Sequence, residues 1–183
     1  MKARKINAQM IALMATMIAV IFVGTMIRVM YIAPTGGYIH LGDVLANFAA
    51  LAFGPWVGMV ASGVGMAIAD AIGFPLYIVP TLVVHGLQGF VVGLLGRNKP
   101  WPIMALAAVI GQLIVVAGYF AVQVVLYGTP AALLEAPWNG LQGLVGIVGG
   151  VSLLLLTRRA YPPISQIGQR REWREEQDAG DQA

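Results

Sequence analysis

Three small sets of polar side chains recur at helical spacing in a chain that is otherwise strongly apolar. The members of each set lie three or four residues apart and so share one face of a helix. These sets are Thr81, His85 and Gln88; Tyr119 and Gln123; and Asn139 and Gln142. Hydroxyl, imidazole and amide groups can each donate and accept hydrogen bonds. In an apolar setting, such groups either join neighbouring helices or bind a polar small molecule.

A second group of polar residues lies in the apolar, glycine-rich stretch 36–77, which contains His40, Asp43 and Asp70. An ionised side chain at the centre of a bilayer costs at least ~2.5–3.5 kcal/mol. Asp43 follows a glycine at the start of a predicted helix, where a carboxylate can cap free N–H groups. Asp70 can pair with Arg28. Structural roles are favoured for both acids, and proton coupling remains the alternative.

Catalytic and cofactor motifs are missing from the sequence. There is no cysteine, and the two histidines lie in different elements. A phosphate-binding G-x-x-x-x-G-K-[ST] loop, an H-E-x-x-H motif and a G-x-S-x-G motif are all absent. The sequence therefore predicts neither an enzyme nor a resident metal or cofactor, and nothing in it predicts nucleic-acid binding.

The polar sets must be positioned by membrane-spanning helices. Hydrophobic residues make up 58% of the chain and charged residues 10%, with a mean hydropathy of +0.79, whereas soluble domains carry about 25% charged residues. A helix needs roughly 20 apolar residues to cross the hydrocarbon core. We predict an all-α integral membrane protein with six spans at 10–31, 43–53, 56–72, 78–95, 103–126 and 138–156.

Basic residues fix the expected orientation of these spans. They cluster before span one, between spans four and five, and after span six, while the other connections between spans carry none. The positive-inside rule then places both termini in the cytoplasm. The expected organisation is a transmembrane domain over 1–157 and a polar cytoplasmic tail over 158–183. The cytoplasmic (cell) membrane is the predicted location.

With this orientation, all three polar sets fall in the outer halves of spans four to six. Arg28, His40, Asp43, Asp70 and Tyr77 belong to the same outer layer, whereas the inner halves of these spans are nearly bare of polar groups. The sets can converge on one pocket that opens outward. The alternative for each residue alone is a hydrogen bond between helices. A channel or a rocking carrier would need a polar path to the inner side as well.

Small residues form a separate stripe along span one. Ala8, Ala12, Ala15 and Ala19 recur at intervals of four, three and four. Such a smooth face lets another helix approach closely in lipid. The partner helix is either part of another protein or a helix of this chain's own bundle.

Several short motifs resemble one known family in their order and spacing. They are Gly-Tyr-Ile-His-Leu-Gly-Asp at 37–43, Phe-Gly-Pro at 53–55, Ala-Asp at 69–70, Thr-Leu-Val-Val-His-Gly-Leu at 81–87, Gly-Tyr-Phe at 118–120 and Trp-Asn-Gly-Leu-Gln at 138–142. Over nearly all of residues 6–157, the chain resembles the substrate-binding S components of energy-coupling factor (ECF) vitamin transporters, in the riboflavin/hydroxymethylpyrimidine-type branch.

The resemblance implies a six-helix membrane subunit that binds a vitamin or vitamin precursor from outside and depends on partners. These partners are a transmembrane T component, contacted through an alanine motif that maps onto Ala8 and Ala12, and two ABC-type ATPase subunits. His85 stands where the family pattern has lysine, and Gln123 where it commonly has glutamate. These two departures favour a neutral ring compound over an anionic one.

The resulting hypothesis is an S component that captures a hydroxymethylpyrimidine-, pyridoxine- or riboflavin-like ring. The residues expected to bind it supply hydrogen bonds, stacking surfaces and a lid. These are His85, Gln123, Asn139, Gln142, Thr81, Tyr119, Trp138, Tyr77, Tyr38 and His40. The rival hypotheses are a self-sufficient proton-coupled carrier using Asp43 or Asp70, and a membrane scaffold protein without a ligand.

Overall fold

A computed structural model of the chain describes residues 8–32 and 37–167. The described residues form six α-helices and one β-hairpin. In chain order the elements are α1 (Ala8–Met26), β1 (Arg28–Ile32), β2 (Gly37–His40), α2 (Gly42–Phe53), α3 (Pro55–Gly73), α4 (Ile78–Gly96), α5 (Trp101–Tyr127) and α6 (Thr129–Ala160). Single 3₁₀ turns at Pro75–Tyr77 and Pro162–Ser165 precede α4 and follow α6. The predicted all-α architecture is confirmed.

Five of the six helices are long and apolar enough to cross a membrane, and α2 is the exception. At 12 residues, α2 is about 18 Å long, which is shorter than the ~30 Å hydrocarbon core. Nine of its residues are buried, including Leu51 and Ala50. Packing on α1, α3, α4 and α6 therefore covers α2 on most sides, and its apolar character serves the protein core more than contact with lipid.

The first span ends earlier than the sequence predicts. Helix α1 stops at Met26, and residues 28–32 form a strand that pairs antiparallel with residues 37–40. The register places Arg28 opposite His40 and Tyr31 opposite Tyr38. β-branched and aromatic residues favour strands, and the segment RVMYI is rich in both. The expected continuous helix to residue 31 is therefore wrong, and a hairpin occupies its outer end.

The sixth span begins earlier than predicted. Residues 127–137 were expected to form a loop, but α6 starts at Thr129 and includes Pro137 within the helix. Gly128 lies between α5 and α6 and adopts a φ of 84°. This backbone conformation favours glycine over other residues. Pro130 lies in the first turn, where its missing N–H costs nothing. The early start adds Glu135 to the helix face that carries Asn139 and Gln142.

Helices α3 and α4 approach each other very closely where they cross. A methyl group on Gly58 would lie 2.5 Å from the carbonyl oxygen of Gly89, and a methyl group on Gly89 would collide with the Gly58 carbonyl. Glycine pairs permit this kind of backbone contact in membrane helices. The crossing sets the spacing at the other end of the pair, where Asp70 of α3 meets Thr81 of α4.

The end of the chain packs on the bundle as far as it is described. Residues 158–167, which the sequence assigns to the polar tail, continue α6 and then turn back. Ile164 is buried in the main apolar cluster, and Arg97 Nη2 donates a hydrogen bond to the Ile167 carbonyl oxygen at 3.0 Å. Residues 168–183 of the predicted tail lie outside the described residues.

Candidate ligand-binding cavity

A cavity lies between the hairpin and the ends of helices α3 to α6. It offers about 40 Å³ to the centres of water molecules, and one water needs ~10–15 Å³ by this measure. Polar and aromatic side chains dominate the wall. The lining residues are Thr25, Tyr38, His40, Met66, Asp70, Phe74, Tyr77, Thr81, His85, Tyr119, Glu135, Asn139 and Gln142.

Asp70 is the centre of a hydrogen-bonded chain that runs across the cavity wall. Its carboxylate accepts a hydrogen bond from the Tyr38 hydroxyl at 2.6 Å and another from the Thr81 hydroxyl at 2.5 Å. The Tyr119 hydroxyl lies 2.5 Å from Thr81 Oγ1. Because the Thr81 proton is already donated to Asp70, Tyr119 is the donor in this contact. These hydrogen bonds connect the hairpin to α3, α4 and α5.

Arg28 does not form the expected ion pair with Asp70. Its guanidinium carbon lies 4.8 Å from the ring centroid of Tyr38 and 5.1 Å from that of Phe74. Nη2 also contacts the carbonyl oxygen of Ala69 at 3.5 Å. The Tyr38 and Phe74 rings stack on each other at 4.8 Å. Arg28 therefore supports the aromatic wall of the cavity by cation–π contacts, while hydroxyl groups satisfy the carboxylate.

Asp43 points into the bundle, and the expected capping hydrogen bond is absent: α2 begins without a side-chain cap. Asp43 Oδ2 accepts a hydrogen bond from Gln142 Nε2 at 2.7 Å, and Oδ1 lies 3.5 Å from His85 Nδ1. The same His85 nitrogen lies 2.7 Å from Gln88 Oε1. Asp43 is 1% exposed. It therefore joins α2 to α4 and α6 immediately behind the cavity wall.

His40 ends the hairpin and faces the cavity as a neutral imidazole. Its backbone N–H donates to Gln142 Oε1 at 3.1 Å, and its Nδ1 accepts the Gly42 N–H at 3.0 Å. This leaves the proton of the neutral ring on Nε2. Burial lowers the pKa of His40 to about 4, although the charge of Asp43 opposes the change.

The structure brings eight of the ten residues expected to bind ligand to the cavity wall. These are Tyr38, His40, Tyr77, Thr81, His85, Tyr119, Asn139 and Gln142. Gln123 and Trp138 do not line it. Gln123 lies one helical turn beyond Tyr119 and is completely buried, with no hydrogen-bond partner for its amide among the described residues. Trp138 is 39% exposed.

Four lining residues were missed in the sequence: Thr25, Met66, Phe74 and Glu135. The sequence does not indicate Glu135 as a lining residue, because a loop is predicted for residues 127–137. The signal was present, since Glu135, Asn139 and Gln142 follow the same spacing of four and three as the other polar sets. Phe74 and Met66 carry no such signal, because an apolar residue in an apolar helix gives no indication of which neighbour it will contact.

The alanine stripe lies on a surface separate from the cavity. Ala8, Ala12, Ala15 and Ala19 are all exposed. Helix α1 instead packs on the bundle through its opposite face, which includes Met14, Met17 and Ile21. The alternative that the stripe packs inside this chain's own bundle is therefore wrong. Within the described residues, no group of three or more His, Asp and Glu side chains is arranged to hold a metal ion.

Comparison with known proteins identifies relatives over most of the chain. Residues 5–159 match the family described as "ECF-type riboflavin transporter, S component". A protein from Pyrococcus woesei, described as an uncharacterized protein in a gap 3′ region, is 36% identical over 143 residues, which are 78% of this chain and 97% of that protein. The thiamine precursor transporter HmpT of Lactococcus lactis subsp. cremoris (strain MG1363) is 31% identical over 144 residues, 78% of this chain and 83% of the relative. These matches confirm the resemblance and the predicted multi-pass membrane location.

Proposed function

This chain belongs to the family of ECF-type riboflavin transporter S components, and on that premise we propose that it captures a small heterocyclic vitamin or vitamin precursor at its outer face. The family is one of transport proteins of the cell membrane and is not a family of enzymes. The proposed ligand is hydroxymethylpyrimidine-, pyridoxine- or riboflavin-like. Delivery would follow docking on a T component that carries two ABC-type ATPase subunits.

The observation that carries this proposal is the composition of the cavity wall. Three helices contribute hydrogen-bonding groups at one level: His85 from α4, Tyr119 from α5 and Asn139 from α6. The rings of Tyr38, Phe74 and Tyr77 supply flat apolar surfaces beside them. A ring compound with polar substituents needs this combination, because aromatic faces bind its body while directional groups fix its orientation.

The size of the cavity favours the smaller candidates. Its volume of about 40 Å³ corresponds to a few water molecules by the same measure. A single six-membered ring with short substituents is closer to this size than a three-ring flavin. The similarity to a thiamine precursor transporter supports the same choice, because a pyrimidine precursor of thiamine is a single ring.

Ligand binding to the purified protein in detergent tests the proposal. Hydroxymethylpyrimidine, pyridoxine and riboflavin would be titrated by calorimetry against the wild type and the variants His85→Ala and Asn139→Ala. We expect each variant to lose at least about tenfold in affinity for the preferred ligand, because each loses a buried hydrogen bond. Leu133→Ala, at an exposed position of the same helix α6, is the control. Unchanged affinity in both cavity variants would rule out this site.

A further inference from the structure

The wall residue His85 is held by two acceptor groups on the side of its ring that faces away from the cavity. Its Nδ1 lies 2.7 Å from Gln88 Oε1 and 3.5 Å from Asp43 Oδ1. Of the described residues, His85 lines the cavity, whereas Asp43 and Gln88 do not. The edge of the ring that carries Nδ1 therefore points into the bundle, and the edge that carries Nε2 is the one available to a ligand.

Asp43, and not Gln88, decides which nitrogen of this ring carries the proton. An amide can turn either its oxygen or its NH₂ group toward Nδ1, whereas a carboxylate oxygen only accepts. The other carboxylate oxygen is already engaged. Gln142 Oε1 accepts the backbone N–H of His40 at 3.1 Å, so Gln142 Nε2 is the group that donates to Asp43 Oδ2 at 2.7 Å. Oδ1 is left for His85, and Nδ1 therefore carries the proton of the neutral ring.

The two histidines of the wall thus differ in what they offer to a ligand. His40 accepts the Gly42 N–H through Nδ1 and keeps its proton on Nε2, so its free edge is a donor. His85 keeps its proton on Nδ1, so its free edge is an acceptor. The two ring centroids are 6.5 Å apart, close enough for one small molecule to contact both rings.

We propose that Asp43 is a positioning residue that fixes the tautomer of His85, so that Nε2 accepts a hydrogen bond from an N–H or O–H group of the ligand. This inference rests on the proposed function and adds to it a chemical requirement: a donor group that reaches Nε2. An amino or a hydroxymethyl substituent supplies one. A ring of equal shape that offers only a lone pair at this point would leave two acceptors facing each other without a hydrogen bond and would bind more weakly.

The tautomers are tested first without a ligand, by ¹⁵N NMR of protein labelled at its two histidines in detergent at neutral pH. Protonated and bare imidazole nitrogens have well-separated resonances. We expect the wild type to contain one ring of each tautomer, and we expect His40→Gln to remove the one with Nε2–H. A ring at position 85 that is bare at Nδ1, or protonated at both nitrogens, would overturn the inference.

The role of Asp43 is tested by Asp43→Asn, which keeps the shape of the side chain. Because Gln142 still donates to the remaining oxygen, the new NH₂ group faces His85 Nδ1, and the ring should change to the Nε2–H tautomer. Gln88→Leu is the control and should keep Nδ1–H, since the carboxylate is intact. An unchanged tautomer in Asp43→Asn, or a changed one in Gln88→Leu, would show that Asp43 does not fix the ring.

The contact with the ligand is tested by replacing the donor groups of hydroxymethylpyrimidine and pyridoxine one at a time, an amino group by methyl and a hydroxyl group by fluorine. Calorimetry on the wild type and on His85→Ala completes a double-mutant cycle. We expect one replacement to lower the affinity of the wild type at least about tenfold, the equivalent of one buried hydrogen bond, and that of His85→Ala less than about twofold.

The outcomes separate this inference from the proposed function. If each replacement has the same effect on the wild type and on His85→Ala, Nε2 accepts no hydrogen bond from the ligand, and the inference fails while capture of the vitamin-like ring stands. If neither compound nor riboflavin binds to the wild type, capture of a vitamin-like ring is refuted, and the tautomer of His85 and its control by Asp43 stand or fall by the NMR result alone.

Discussion

Asp70 links the hairpin to the helical bundle through two hydroxyl groups, Tyr38 on β2 and Thr81 on α4. Each hydrogen bond to a charged group contributes about 1.5–3 kcal/mol when it is buried. The hairpin itself has only two strands, and a two-stranded hairpin alone is marginally stable. The carboxylate therefore holds the outer wall of the cavity in place, a role that differs from proton coupling.

The same hairpin contains the residue with the clearest dependence on pH. His40 has a pKa of about 4 in the folded protein and an ordinary value of 6.5. Between these values the unfolded chain binds a proton that the folded chain does not, so acid favours unfolding. The contribution of His40 to stability is present above pH 6.5 and is lost as the pH falls toward 4. This loss is the cost of placing a positive charge on the buried ring, about 3 kcal/mol when protonation is complete.

We therefore expect His40→Gln to flatten the fall in thermal stability between pH 7 and pH 4.5. Glutamine cannot gain the proton, so its stability should change less over this range. The measurement is the unfolding temperature in detergent, by intrinsic fluorescence, for wild type and variant in parallel. The two proteins differ only at position 40, so a difference between their curves reports on that residue. Parallel curves for the two proteins would show that His40 does not cause the acid sensitivity.

At the scale of elements, the crossing of α3 and α4 fixes the distance between two walls of the cavity. Gly89→Ala places a methyl group against the Gly58 carbonyl and forces the helices apart. We expect a loss of about 1–3 kcal/mol in stability, as for other overpacked sites. Because Asp70 and Thr81 lie on the same two helices, ligand affinity should fall several-fold as well.

The matched control for this change is Gly140→Ala on α6. A methyl group there meets no atom within 4 Å, and alanine favours a helix by up to about 1 kcal/mol over glycine. Stability should stay the same or rise, with little effect on ligand affinity. The unfolding temperatures of Gly89→Ala and Gly140→Ala, measured in parallel, test this difference in stability. Equal effects of the two substitutions would mean that helix propensity, and not the α3–α4 contact, governs the result.

The elements that the sequence predicts well are those whose signal is local. The five long apolar helices follow from hydropathy and length, and the polar sets on α4 and α6 follow from helical spacing. The hairpin was missed because Val29, Met30 and Ile32 continue the apolar run of the helix before them, and this run alone does not show where the helix ends. The contacts of Asp43 depend on which helices surround α2, and the sequence does not show this. The position of Asp43 at the start of a helix predicts a capping hydrogen bond, which does not form.

At the scale of the whole molecule, the proposed ligand cavity and the proposed docking stripe lie on different surfaces. The cavity lies among the outer ends of the helices, whereas Ala8, Ala12, Ala15 and Ala19 form an exposed stripe along α1. Only the far end of α1, through Thr25, reaches the cavity. Without a hydrophobic driving force in lipid, association of helices depends on close packing of small residues. A change on the stripe should therefore affect assembly without affecting the cavity.

We expect Ala12→Trp to abolish the association with a T component and two ATPase subunits, and with it transport, while ligand affinity stays within about twofold of the wild type. The indole would hold the partner helix several ångströms away, which removes the packing contacts that drive association. Ala117→Trp, at an exposed alanine of α5, is the matched control and should assemble normally. Co-purification from membranes that contain all four chains, together with calorimetry on the isolated protein, separates the two properties. Intact assembly of Ala12→Trp would place the docking surface elsewhere, and a parallel loss of ligand affinity would mean that the stripe and the cavity are coupled through α1.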